Sequence, residues 1–219
     1  MTMTSETAGA PGHGHGAGET RRDFLTLAAG AITAIGAACA IWPFIQSMEP
    51  SGDVLAAGAP IDVDVSKVPA GQQIIVLWRS RPTFIVHRTP AQLQKLQSTT
   101  DTGLLRDPNS DEMQQPAYAK NWHRSIKPDY LVVIGICTHL GCIPRFEPAL
   151  GGALGANWPG GYFCPCHGSR YDLSARVFSG VPAPYNLPVP PYHFVNDGTV
   201  RIGENPPNET FDFGSIEQI

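Results

Sequence analysis

Charged side chains are scarce: Asp, Glu, Lys and Arg supply 16% of the 219 residues, against roughly 25% in ordinary soluble domains. The formal net charge is −4, so the Lys/Arg surplus that a phosphate-binding surface needs is missing, which excludes a nucleic-acid partner. Cysteine is sparse too, five in all, too few for a small scaffold held together by disulfides. Apolar residues nevertheless reach 42%, enough to fill a core, and a wholly disordered chain is excluded. Glycine (23) and proline (21) are plentiful, about a fifth of the chain where roughly 12% is usual. That excess argues against a helix bundle and for many turns joining short strands. The length allows one or two domains.

The longest gap in charge runs from Asp23 to Glu49, and Phe24–Ile45 within it is almost wholly apolar or small. As a helix, such a run spans about 33 Å, against a hydrocarbon core of about 30 Å. Ala28, Ala29, Gly30, Ala31, Ala34, Gly36, Ala37 and Ala38 suit close helix packing in lipid. Trp42 and Pro43 stand where an interfacial aromatic and a helix stop are expected. A buried core helix of a soluble protein is the competing reading, but a polar face is missing.

Arg21 and Arg22 precede the span and no Lys or Arg follows until Lys67, while Glu49, Asp53, Asp62 and Asp64 lie beyond it. The bias of basic residues toward the cytoplasm puts the N-terminus inside and the remainder outside. The string Thr20-Arg21-Arg22-Asp23-Phe24-Leu25 resembles a twin-arginine export signal, which serves proteins that cross the membrane already folded. Ala38-Cys39-Ala40 imitates a cleavage site but lies inside the apolar run, so the segment is expected to stay as an anchor. Residues 1–20 read as a disordered tail in which His13 and His15 have no strong metal pattern. Gln46–Pro60 reads as a flexible hinge, at most about 50 Å long when extended.

From residue 61 the pattern changes to strands. Ile61-Asp62-Val63-Asp64-Val65 alternates, and Gln73–Trp78 with Thr83–His87 predicts a hairpin. Thr89-Pro90 before AQLQKL predicts one short helix, with Thr89 as cap and proline at the first position. Residues 100–128 are polar and turn-rich, an expected surface excursion. Tyr130–Ile136 is a continuous apolar run that delivers Cys137, and Asn196-Asp197-Gly198 predicts a closing hairpin. His87, His123 and His193 show no partner pattern, and Cys39 reads as a small hydrophobe.

Four of the five cysteines fall in two short boxes, Cys137-Thr138-His139-Leu140-Gly141-Cys142 and Cys164-Pro165-Cys166-His167-Gly168-Ser169. Each offers thiolates and an imidazole within a few residues. A tetrahedral zinc site and a two-iron cluster each need four protein ligands. Spacing alone leaves open both the metal and which of the cysteines bind it.

These boxes resemble those of the Rieske iron–sulfur protein of the cytochrome bc complex, the bacterial ubiquinol–cytochrome c reductase. The likeness extends to the anchor behind twin arginines, the hinge and the β head, roughly residues 20–203. It implies one [2Fe-2S] cluster bound by Cys137 and Cys164 on one iron and His139 and His167 on the other. It also implies a Cys142–Cys166 disulfide, which agrees with an oxidising compartment outside the membrane. Neutral imidazoles in place of two thiolates make the cluster less negative, so an added electron is less opposed. Such centres lie at about −150 to +300 mV, against about −400 mV for plant-type ferredoxins. Ser169 matches a serine that bonds a bridging sulfide and Tyr171 a tyrosine that bonds a ligand cysteine. Pro182 lies in a proline loop, Gly180-Val181-Pro182-Ala183-Pro184, that covers the cluster in this family. Leu140 matches an apolar docking tip.

The expected fold is therefore mainly β: an antiparallel β-sandwich Rieske head with a small cluster-binding subdomain, one short helix, and a single transmembrane helix before it. The domain reading is 1–20 tail, 21–45 anchor, 46–60 hinge and 61–219 periplasmic head, with the cluster-binding part at about 136–186. By resemblance, the protein takes one electron from ubiquinol at His139 and His167, couples the transfer to proton release outside, and passes the electron to a c-type cytochrome. The implied partners are cytochrome b and c-type cytochrome subunits in a dimeric, inner-membrane complex. The Rieske subunit of another exported redox enzyme, such as arsenite oxidase, is the alternative.

Overall fold

The computed structural model describes residues 20–100, 103–151 and 154–217; His13 and His15 lie outside the described residues. The chain divides into two compact units between Ser51 and Gly52.

The first unit is built on helix α1, Arg21–Ser47. Thr20 caps it, accepting the Asp23 N–H at 3.3 Å while the Asp23 carboxylate accepts the Thr20 N–H at 3.1 Å. No residue of α1 is buried, and Phe24, Leu27, Ile32 and Phe44 are all exposed. It is long and apolar enough to cross a membrane, as expected for a single-pass anchor. The helix passes through Pro43 to Ser47 instead of stopping near the proline. Proline forfeits its own N–H bond, but the residues after it still pair with the preceding turn.

The second unit opens with a short helix α2, Gly52–Ala57, inside the segment read as a hinge. Among the described residues, three antiparallel sheets follow. Strands β1 (Ile61–Asp64), β9 (Thr199–Ile202) and β8 (Tyr192–Asn196) form the first, in that order. The second joins β2 (Gln73–Trp78), β3 (Arg81–His87) and β4 (Tyr130–Ile134), with helix α3 (Pro90–Thr100) between β3 and β4 in the chain. The third joins β5 (Arg145–Glu147), β6 (Gly161–Phe163) and β7 (Arg170–Asp172). The unit is mainly β in content and its sheets are small, in line with the fold class expected from the sequence.

Burial explains the patterns. Strand β4 is covered on both faces, so its apolar run is continuous. Edge strand β2 alternates, with Ile75 and Leu77 exposed. The β2–β3 hairpin turns on Arg79 and Ser80, both at positive φ (51° and 59°), the conformation that a tight hairpin of matching twist demands. One core unites Trp78, Phe84, Leu131, Ile134, Tyr162, Tyr171, Leu187 and Tyr192, and it reaches Cys137 and Cys164. Gly161, at φ 150°, lies so close to β7 that a Cβ there would run into the Tyr171 carbonyl.

The excursion between α3 and β4 lies only in part on the surface, where it was expected: Asp111, Glu112 and Lys120 are exposed. Ser110, Gln114, Gln115, Arg124 and Ser125 are buried. Polar residues can enter the interior when neighbouring backbone groups satisfy them, and in part they do here: Arg124 reaches the Leu187 carbonyl at 2.9 Å and Gln115 the Ser110 carbonyl at 2.9 Å, whereas Ser110 Oγ and both polar atoms of the Gln114 amide have no hydrogen-bond partner.

Candidate metal centre

Strand β4 delivers the first box and the β6–β7 turn delivers the second, and the two share one backbone frame. The Cys137 N–H donates to the Cys142 carbonyl at 2.7 Å, as the Cys164 N–H does to the Ser169 carbonyl at 2.8 Å. The N–H of Gly141 returns to the Cys137 carbonyl, and that of Gly168 to the Cys164 carbonyl, both at 3.0 Å. Both glycines sit at positive φ (82° and 78°), where a side chain would strain the loop. The frame places the leading cysteine of each box inward: Cys137 and Cys164 are each 1% exposed.

The sulfurs of Cys142, Cys164 and Cys166 lie within 4.8 Å of one another, but this trio is not a ligand set. Cys142 and Cys166 are joined by a disulfide, which leaves no thiolate on either. Cys137 and Cys164 are free. Burial pushes the Cys164 thiol up, and the Cys137 sulfur beside it adds to the rise. A bound metal ion would favour the thiolate form that coordination needs.

The imidazoles of His139 and His167 meet edge to face, with centroids 4.7 Å apart. His167 is exposed and His139 half-buried, with His139 Nδ1 buried and without a hydrogen-bond partner. Two buried thiols, two converging imidazoles and an orphaned ring nitrogen fit a centre with two sulfur and two nitrogen ligands. Donor type by itself suits zinc as well as iron.

Surrounding hydroxyls are placed to act on sulfur. Tyr171 Oη is 3.2 Å from Cys137 Sγ and accepts the Thr138 N–H at 3.3 Å. Burial pushes its phenol far up, so it keeps a proton to donate. Ser169 is fully buried and its Oγ accepts the Ala183 N–H at 3.1 Å, leaving its own proton for another acceptor. Thr138, which the sequence did not single out, donates from Oγ1 to the Tyr185 carbonyl at 2.7 Å. Both boxes are thus pinned to the proline loop, where Pro182 is exposed. A small polar residue inside a box carries no sequence mark of this role. Leu140 stands at the tip of the first box, 71% exposed.

Comparison with known proteins decides the metal. Residues 111–192 match the model of the Rieske [2Fe-2S] domain, and residues 11–51 match "Ubiquitinol-cytochrome C reductase Fe-S subunit TAT signal". The "Ubiquinol-cytochrome c reductase iron-sulfur subunit" of Allochromatium vinosum is 50% identical over 89% of this chain and 94% of its own length. The chain belongs to this family. The relative of the same name from Rhodospirillum rubrum is 45% identical over 93% of this chain and 100% of its own. A solved chain from "Hyperthermophilic respiratory Complex III" covers 80% of this one and 98% of itself at 25% identity, with a TM-score of 0.44, too low to carry weight. Membership makes the protein the Rieske subunit of an oxidoreductase complex with one [2Fe-2S] cluster. The zinc and arsenite oxidase readings fall away with it.

Proposed function

We propose that Cys137, Cys164, His139 and His167 hold the cluster, and that the protein oxidises ubiquinol and reduces a c-type cytochrome. The observation that carries this reading is the division of labour among the four box cysteines: the disulfide uses Cys142 and Cys166, while Cys137 and Cys164 are free and buried, in boxes whose two imidazoles converge. Held by these four residues, the group would supply one-electron redox chemistry between ubiquinol and a c-type haem. The exposed His167 ring and the half-buried His139 ring are the polar contacts available to a quinol hydroxyl and its proton. Leu140 adds an apolar contact beside them. Tyr171 donates to sulfur and so favours the more negative, reduced state.

The topology follows from charge. Arg21 and Arg22 hold the start of α1 in the cytoplasm, the head lies in the periplasm, and the proton leaves on that side. The segment 46–60 serves as the hinge on which the head moves between cytochrome b and the c-type cytochrome of a dimeric complex.

An EPR spectrum after mild ascorbate reduction tests the reading. A high-potential cluster with two histidine ligands is expected, and it should vanish in Cys137→Ser and His167→Ala. Signal only after dithionite, or none at all, would overturn it.

A further inference from the structure

Tyr171 is the middle residue of the short strand β7, which pairs with β6 on one side and is bridged to Val177 on the other. The strand runs directly into a turn, Asp172 to Arg176, in which Ala175 adopts a left-handed backbone (φ 59°). Three arginines from separate parts of the chain hold this turn in place. Arg176 grips Asp172 at 2.8 Å. Arg88 donates to the Leu173 carbonyl at 3.2 Å and to Ser174 Oγ at 3.1 Å. Arg124 donates from Nη1 to the carbonyls of Ser174 (3.1 Å) and Ala175 (3.2 Å), and from Nη2 to Leu187 (2.9 Å) and Gln115 Oε1 (2.8 Å).

All three guanidinium groups are buried, a costly location; Arg124 offsets it through both terminal nitrogens, while its Nε has no hydrogen-bond partner. Burial lowers Arg124 to about 9, so it remains charged at neutral pH. Its own backbone is left-handed as well (φ 47°), a second cost that the surrounding bonds must offset. Only a planar fork meets the turn's two carbonyls on one side and Leu187 and Gln115 on the other, and lysine lacks that geometry.

We propose that Arg124 is a positioning residue for the Tyr171 hydroxyl: by holding the Ser174 and Ala175 carbonyls it fixes the end of β7, and with it the contact between Tyr171 and the Cys137 sulfur. This rests on Cys137 being a cluster ligand. A merely structural arginine would affect stability and leave the cluster's potential alone. Loss of a positioning arginine lowers the potential, and only when the tyrosine hydroxyl is present. The charge of Arg124 is a different route, and Arg124→Lys preserves it.

The test is the midpoint potential of the cluster-loaded full chain as wild type, Tyr171→Phe, Arg124→Lys and the double variant. Both single variants should fall below wild type, and the double variant should match Tyr171→Phe. Arg124→Lys at the wild-type potential, or a double variant showing the sum of the two shifts, overturns the proposal. Should Arg124→Lys fail to fold, Gln115→Met removes one acceptor of the same guanidinium. It should give a smaller fall that vanishes in the Tyr171→Phe background, and no fall overturns the proposal. Tyr171→Phe at the wild-type potential also overturns it, but at an earlier point, the assignment of the Cys137 contact.

Discussion

The hydroxyl of Tyr171 stands 3.2 Å from the sulfur of Cys137, with its proton retained because burial drives the phenol's ionisation far up. A donor so placed stabilises added negative charge on sulfur. Tyr171→Phe and Ser169→Ala should each lower the midpoint potential while the cluster still assembles. A redox titration followed by EPR checks this, and unchanged potentials in both variants would remove the hydroxyls from the account.

The disulfide Cys142–Cys166 spans 24 residues and joins the two boxes. Closing a loop of that size stabilises a folded chain by about 3 kcal/mol. Cys142→Ser and Cys166→Ser should therefore lower the melting temperature and speed loss of the cluster. Visible absorbance followed during heating measures both, and wild-type retention in either variant would show that the backbone frames suffice.

Acid should destabilise the head through His123. Burial, with the Arg88 guanidinium beside it, lowers this imidazole to about 4, against about 6.5 in an unfolded chain. Between those values the unfolded state binds a proton that the folded state does not. The contribution is thus fully present above about pH 6.5 and is lost as pH falls toward about 4. Melting temperatures from neutral pH down to mild acid should drop less steeply in His123→Gln than in wild type; equal slopes would sink the assignment.

Motion of the head predicts a kinetic defect without a spectral one. Prolines introduced at Ser51 and Gly52, just before and at the first position of α2 where a helix tolerates them, should stiffen the connection. Quinol–cytochrome c turnover of the assembled complex should slow while the EPR spectrum stays unchanged. Full turnover in the stiffened protein would exclude a hinge there.

Much of the site was legible because its chemistry is local. The two boxes declare their donors within a few residues each, the charge gap declares the anchor, and Thr89-Pro90 opens α3 with the Thr89 cap in place at 3.2 Å from the Gln92 N–H. The burial of Ser110, Gln114, Gln115, Arg124 and Ser125 was not legible, because polar composition reads as surface. The β2–β3 hairpin was legible, but not the tightness of its turn: Arg79 and Ser80 take positive φ without glycine or asparagine to announce it.

By itself, the sequence determined the features that depend only on neighbours along the chain: the apolar length that suits a bilayer, the strand periodicities, and the thiols and imidazoles of the two boxes. Composition and spacing could not choose which cysteines remain free; resemblance alone implied the pairing. That choice belongs to the tertiary structure, which brings Cys142 to Cys166 and turns Cys137 and Cys164 inward. The same holds for the arginines, since Arg124 meets acceptors 50 to 63 residues away. A buried charge is tolerated only where distant carbonyls converge on it, and no local pattern records that convergence.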